Sequence, residues 1–256
     1  MGYLFLIIFF SIVLEMFPIS SSGNLYLIIR FFTHYLLLDN SVVKYIEYAC
    51  HIPVCIIVAI YFFKSWIRYL LLFPRSLFMI GKIFCYGFVV ESIMVLFFVF
   101  FQNKPWLSSF LPIGFLITSG LLLSLRWCAS GCKKSWNLKS ALLLGIAQGL
   151  ALLPSISRFG ITFVVARWQG FSAQRSFELS WLIAWPIQLV GGLFGLIQLY
   201  RFSGIHVLNQ VNGMSMLIAS SIAYLGLYFV HWCITTNRLW YFAYYTMILV
   251  LVTLLI

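Results

Sequence analysis

The chain is dominated by apolar runs of bilayer length. Val42–Phe63, Leu77–Phe101, Leu107–Leu125, Ser176–Tyr200, Met214–Thr236 and Leu239–Ile256 carry few charges. A hydrocarbon core about 30 Å thick needs about 20 such residues in a helix, so each is expected to span, the short last one with little tilt. Charged residues make up 8% of the 256, against 63% hydrophobic, and the mean hydropathy is +1.05. A water-soluble domain carries about 25% charged residues. The solvent is therefore mostly lipid, and the expected fold is an all-α polytopic membrane protein. The net charge of +11 is assigned to membrane orientation by short loops rather than to nucleic acid. The six cysteines, Cys50, Cys55, Cys85, Cys128, Cys132 and Cys233, read as small apolar fillers. Met1–Phe17 has no basic start and no A-x-A site, so no cleavable leader is expected.

Four further apolar stretches are too short or interrupted to span alone. They fall into two pairs: Gly2–Phe17 with Leu25–Leu38, and Leu138–Leu153 with Ile161–Trp168. Each pair is joined by a polar turn, Pro18-Ile19-Ser20-Ser21-Ser22-Gly23-Asn24 in the first and Pro154-Ser155-Ile156-Ser157-Arg158-Phe159-Gly160 in the second. Non-helical backbone at membrane depth survives only where protein or a wet cavity satisfies it. Both pairs are thus expected as re-entrant hairpins beside about six transmembrane helices, and Pro-kinked spans are the competing reading. Matching broken segments in two halves signal a structural repeat with a site at its interface. With the loop after Phe63 in the cytoplasm, Lys64, Arg68, Arg75, Arg126, Lys133, Lys134, Lys139, Arg167, Arg175 and Arg238 lie inside. Only Arg30, Lys44, Lys104 and Arg201 lie outside, as basic-residue bias requires. The two hairpins then enter from opposite sides, making the repeat inverted. The chain reads as one integral membrane domain, 1–256, with halves of roughly 1–125 and 126–256.

Charges at membrane depth cost at least about 2.5 kcal/mol each and are functional suspects. Arg158 is foremost. Its guanidinium fork matches phosphate oxygens, and Ser157, Thr162 and the helix start at Gly160 add anion-binding donors. Ser20, Ser21, Ser22 and Asn24 do the same before Leu25. An anion rich in oxygens, phosphate or diphosphate, fits best; the plainer reading pairs Arg158 with Glu15 as a structural lock. Glu15 lies one helical turn before Pro18, and beside phosphate it would hold a divalent cation or act on a proton. Glu47 and Glu178 read as ordinary helix-end charges, and His51 as a satisfied core histidine.

Leu14-Glu15-Met16-Phe17-Pro18-Ile19-Ser20-Ser21-Ser22-Gly23-Asn24 resembles the first signature of the undecaprenyl-diphosphatase (bacitracin-resistance) family, T-E-F-L-P-V-S-S-[ST]-G-H. Gly145–Pro154 with Ser157-Arg158 and Gly160-Ile161-Thr162 resembles the second, A-Q-x-x-A-L-x-P-G-x-S-R-S-G-A-T. Glu47–His51 falls where that family has E-V-V-I-Q, and Ser180 with Leu182–Pro186 echoes S-F-L-L-A-[IV]-P.

The resemblance implies six spanning helices with two re-entrant pairs. It implies hydrolysis of undecaprenyl diphosphate to undecaprenyl phosphate and phosphate at the outer face of the bacterial inner membrane, recycling the lipid carrier of cell-wall synthesis. The implied partners are a polyprenyl diphosphate lipid and the membrane; homodimerisation is left open. By position, Glu15, Ser21 and Arg158 are catalytic, with Ser21 the candidate nucleophile. Ser20, Ser22, Asn24, Ser157, Gly160 and Thr162 bind diphosphate, and Glu15 holds a Mg²⁺ or Ca²⁺ ion. The sequence departs from the pattern at Asn24 (family His), Ser11 (an acid), Ser155 (Gly) and Phe159 (Ser). Those departures motivate the alternative of a prenyl-phosphate carrier or binding protein without turnover.

Overall fold

The structure is a computed structural model, and it describes residues 2–32, 40–72, 78, 81–82, 85–90, 92–93, 110–128, 131, 138–210 and 213–255. Among these, the long elements are α1 (Gly2–Glu15), α2 (Ser21–Phe32), α3 (Asn40–Ala49), α4 (His51–Leu72) and α5 (Leu111–Ser124). They continue with α6 (Leu138–Leu150), α7 (Arg158–Trp168), α8 (Ala173–Gln210), α9 (Gly213–Thr235) and α10 (Phe242–Leu255). Two 3₁₀ turns, Leu125–Trp127 and Leu239–Tyr241, close α5 and open α10.

The protein is all-α, and its exterior is made for lipid. Ser41–Arg68, Ala173–Phe202 and Met216–Thr235 are long and apolar enough to cross a membrane. Leu111–Trp127 and Leu239–Leu255, at two more of the expected spans, are shorter apolar helices that pack on each other. The expected span Leu77–Phe101 lies mostly outside the described residues. Along α9, Ala219, Ala223, Leu227 and Val230 are buried at helical spacing, while Leu217, Ile222, Leu225 and Phe229 are exposed. A helix apolar on every side is stable only when lipid or protein surrounds it.

Both expected interruptions are present. α1 and α2 are joined across residues 16–20, and α6 and α7 across 151–157. The span expected from Val42 is itself interrupted at Cys50, between α3 and α4. Pro53 has no N–H to give the carbonyl of Ala49, four residues earlier, so the hydrogen-bond ladder loses a bond beside this interruption.

Close helix packing converges on these breaks. A side chain at Gly192 of α8 would stand 2.7 Å from Ile52, and one at Gly195 would stand 2.5 Å from the Ala49 nitrogen. α8 therefore lies against the α3/α4 junction, as small residues allow between membrane helices. On the other side, α5 crosses the second break at Gly114, where a Cβ would meet the Pro154 carbonyl oxygen at 1.9 Å. The tips touch each other too: Gly23 leaves room for Ser155, whose Oγ would lie 2.7 Å from a Cβ there.

Two glycines of one helix give a paired test. Gly114→Ala forces backbone apart and is expected to destabilise by about 1–3 kcal/mol, as overpacking does. Gly120→Ala meets nothing within 4 Å and is expected to be neutral or to gain up to about 1 kcal/mol of helix propensity. Thermal unfolding of the two variants in one detergent checks both; equal effects would remove the close approach of α5 to the second break.

Candidate functional site

The first break places the last residue of α1 beside the first residue of α2. Met16 and Phe17 bond back to the carbonyls of Val13 (3.2 Å) and Leu14 (3.1 Å), closing α1. Pro18 then ends the ladder, and Ser20 takes a left-handed conformation, φ 59°. α2 starts at once, and Ser21 Oγ donates to Glu15 Oε2. The other carboxylate oxygen, Oε1, accepts from Gln188 Nε2 of α8 at 2.6 Å. His51 Nε2 stands 3.8 Å from the same oxygen.

The second break repeats the pattern. Leu152 and Leu153 bond back to Gly149 and Leu150, each at 3.1 Å. Ser155, one residue after Pro154, is again left-handed, φ 62°. Ser157 caps α7, its Oγ accepting from Gly160 N at 3.1 Å. Thr118 of α5 clamps the turn, donating to the Ser155 carbonyl (3.0 Å) and accepting from Ser157 N (3.2 Å).

Arg158, the first residue of α7, faces Glu15, His51 and Glu47 electrostatically. Its Nε is buried without a hydrogen-bond partner. The lock between Arg158 and Glu15 is not closed, because the ion pairs among the described residues are His51–Glu15 and Arg175–Glu178. A half-buried guanidinium held near a carboxylate but bonded to none retains its fork for an external anion.

The expected site residues thus divide into two groups. Glu15, Ser21 and Arg158 converge. Asn24 is buried and fully occupied: Nδ2 donates to the carbonyls of Ile19 and Ser20, both at 2.8 Å, and Oδ1 accepts from Tyr245 at 2.5 Å. Thr162 Oγ1 donates to the Arg158 carbonyl at 2.8 Å, Ser157 and Gly160 bond each other, and Ser20 Oγ accepts from Gly23 N at 3.4 Å. Ser22 is exposed. Glu178 accepts from Ser65 (2.9 Å) and Arg175 (3.3 Å), apart from Glu15. Glu47, by contrast, belongs to the electrostatic surroundings of Glu15 and Arg158.

Gln188, His51 and Tyr245 were not picked out as site groups by the sequence. An amide and an imidazole inside apolar spans are the only signal for the first two, since polar groups at membrane depth usually have a purpose. Tyr245 has none, because its partner is 221 residues away.

The donors around Glu15 also suit a hard divalent cation. The Glu15 carboxylate stands beside the Ser21 hydroxyl, and Gln188, which meets it through Nε2, keeps its Oε1 buried without a partner. Among the described residues no group of three or more His, Cys, Asp or Glu side chains converges. One carboxylate completed by neutral oxygens and substrate phosphates is a common way of holding Mg²⁺.

Two broken helix pairs meeting tip to tip, with an unpaired arginine near a carboxylate–serine pair, make up the candidate site. Residues 9–252 match the family described as Bacitracin resistance protein BacA, and the chain belongs to that family. It is 30% identical to the undecaprenyl-diphosphatase of Halothermothrix orenii over 94% of this chain and 93% of the relative. It is 27% identical to that of Thermotoga sp. (strain RQ2), over 94% of each, and 28% identical to that of Borreliella burgdorferi (strain ZS7), over 90% of this chain and 88% of the relative.

Two substitutions probe the scaffold of the breaks. Ser155→Gly relieves a left-handed serine and a buried hydroxyl without a partner. Even after the added freedom of the unfolded glycine, it is expected to stabilise by about 1 kcal/mol. Tyr245→Phe leaves Asn24 Oδ1 buried and unbonded, at a cost of about 1–3 kcal/mol. Unfolding temperatures moving in the opposite directions would contradict the assigned roles.

Proposed function

We propose that the chain hydrolyses undecaprenyl diphosphate to undecaprenyl phosphate and phosphate in the bacterial inner membrane, with the site open to the outer side. The observation that carries this reading is the unpaired Arg158 guanidinium facing the Glu15–Ser21 pair at the meeting of the two breaks. The names and coverage of the relatives support the substrate, and the bias of basic residues toward one side supports the orientation.

In this reading the prenyl chain lies along the apolar exterior, and the diphosphate reaches the tips. Ser21 Oγ is the nucleophile: its bond to the terminal phosphorus forms as the bridging P–O bond breaks and undecaprenyl phosphate departs. Its proton passes toward Glu15 Oε2, to which it is already bonded. Water then releases the phosphate from Ser21. Arg158 balances charge on the phosphoryl oxygens, the main contribution a protein makes to this chemistry. A divalent cation would be held by Glu15 together with the substrate phosphates, and would supply further positive charge to the phosphoryl oxygens. Ser157, Thr162, Gly160 and Asn24 act by shaping the tips, since their polar atoms bond within them.

Phosphate release from undecaprenyl diphosphate by purified protein in detergent, with Mg²⁺, Ca²⁺ or Mn²⁺, tests the proposal. Arg158→Ala is expected to lower kcat/KM by about 10²–10³, as loss of one charge-stabilising donor does. Ser21→Ala is expected to abolish release, and Ser21→Cys to leave a small residue. A parent protein inactive with all three cations, or an Arg158→Ala variant as active as the parent, would overturn the reading.

A further inference from the structure

We propose that His51 is a direct ligand of the divalent cation, so that this chain binds it through nitrogen as well as oxygen and prefers Mn²⁺ to Ca²⁺. The proposal rests on the phosphatase reading for the presence of a cation and a phosphate, but its test does not depend on turnover.

The argument begins with the interruption of the helix at Cys50. Because α3 ends at Ala49 and α4 starts at His51, carbonyls at the end of α3 are accessible to a side chain. His51 Nδ1 lies 3.0 Å from the Tyr48 carbonyl and 3.2 Å from that of Glu47. A carbonyl can only accept, so the proton of the neutral ring sits on Nδ1 and Nε2 presents a lone pair. Histidines that bind metals almost always donate their other ring N–H to a carbonyl or carboxylate, which fixes tautomer and ring plane.

That lone pair looks toward Glu15. The separation of Nε2 and Oε1, 3.8 Å, is wrong for an imidazolium–carboxylate hydrogen bond, which closes to about 2.7–2.9 Å. It suits one cation between them. Two bonds of about 2.0–2.2 Å, typical of a transition metal with imidazole and carboxylate, meet at an open angle across that gap. The ring is held in this plane by the contacts of Nδ1 with the Tyr48 and Glu47 carbonyls. Gln188, one turn before Gly192 on α8, donates from Nε2 to the same carboxylate oxygen at 2.6 Å and holds it in place.

An imidazole in the set changes which cation is held. Imidazole nitrogen is a better ligand for first-row transition ions, Mn²⁺ the weakest of them, than for Ca²⁺, which takes oxygen donors. His51→Gln keeps a polar side chain but removes the nitrogen. It is expected to weaken Mn²⁺ by at least about tenfold while leaving Ca²⁺ within about threefold.

The decisive measurement is pulsed EPR of Mn²⁺ bound to the full chain in detergent with methylene diphosphonate, a diphosphate that cannot be cleaved. Modulation from a directly bound ¹⁴N together with ³¹P coupling is the expected spectrum. The nitrogen signal should disappear in His51→Gln while ³¹P remains. Labelling histidine with ¹⁵N in the unaltered chain should convert the nitrogen pattern, a readout free of any folding defect in the variant. A ³¹P coupling without nitrogen, or nitrogen that persists in His51→Gln, overturns the role of His51 and leaves the phosphatase reading standing. Bound Mn²⁺ with neither coupling overturns both.

Discussion

Backbone that leaves the helix at membrane depth must find hydrogen bonds inside the protein, because lipid offers none. Residues 16–20 and 151–157 are in that position, and most of the polar side chains near them answer that need. Asn24 takes the carbonyls of Ile19 and Ser20, Thr118 takes the Ser155 carbonyl and the Ser157 N–H, and Ser157 takes the N–H of Gly160. Tyr245 holds Asn24 in turn. What remains after this demand is met is a smaller set: Glu15, Ser21, Gln188, His51 and Arg158. The candidate site is drawn from this set, in which Glu15 bonds Ser21 and Gln188 rather than backbone and the Arg158 Nε bonds nothing. His51 has one ring nitrogen on the scaffold and the other toward Glu15.

Packing explains why those five meet. α1 supplies Glu15 from its last residue and α7 supplies Arg158 from its first, on either side of the meeting breaks. α8 supplies Gln188 from its middle, which works only because Gly192 and Gly195 let it lie directly on the α3/α4 junction. Trp185 Nε1 donates to the Cys55 carbonyl at 2.8 Å and fixes the same contact one turn earlier. The rest of the surroundings is apolar: Phe159 stacks on Trp181 at 5.3 Å and packs against Phe177. A low-dielectric wall of that kind strengthens every charge interaction it encloses, so an unpaired Arg158 there is poised for an anion.

The breaks themselves were legible in the sequence because proline and clustered serine inside an apolar run conflict with a spanning helix at the level of the backbone. Arg158 and Glu15 followed from the cost of charges in lipid, and Ser21 from its place at the start of a half-helix. Direction was not legible. Nothing local says that the Asn24 amide turns to carbonyls, or that Thr162 bonds the carbonyl of Arg158, since both follow from how the tips close. Nor could Glu47 be told from an ordinary helix-end charge: the helix actually ends two residues later, at Ala49, which turns that end toward the site. Pro53, just past the interruption, is visible in the sequence, but which carbonyls the His51 ring reaches depends on how the turn at Cys50 closes.

The departures from the family pattern can be weighed on the same terms. Phe159 stands where the resemblance has serine, and it is spent on the aromatic core with Phe163, Phe177 and Trp181. Ser155 stands in place of glycine and keeps the left-handed turn at the expense of strain and a buried hydroxyl. Asn24 stands in place of histidine, and the structure has it bridging the first break to α10. An amide suits that position better than an imidazole would, because it offers two donors to two carbonyls and an acceptor to Tyr245 at once. Substitution at these positions therefore alters the frame around the site and not the convergence of Glu15, Ser21 and Arg158, whose approach depends on where the helices stop.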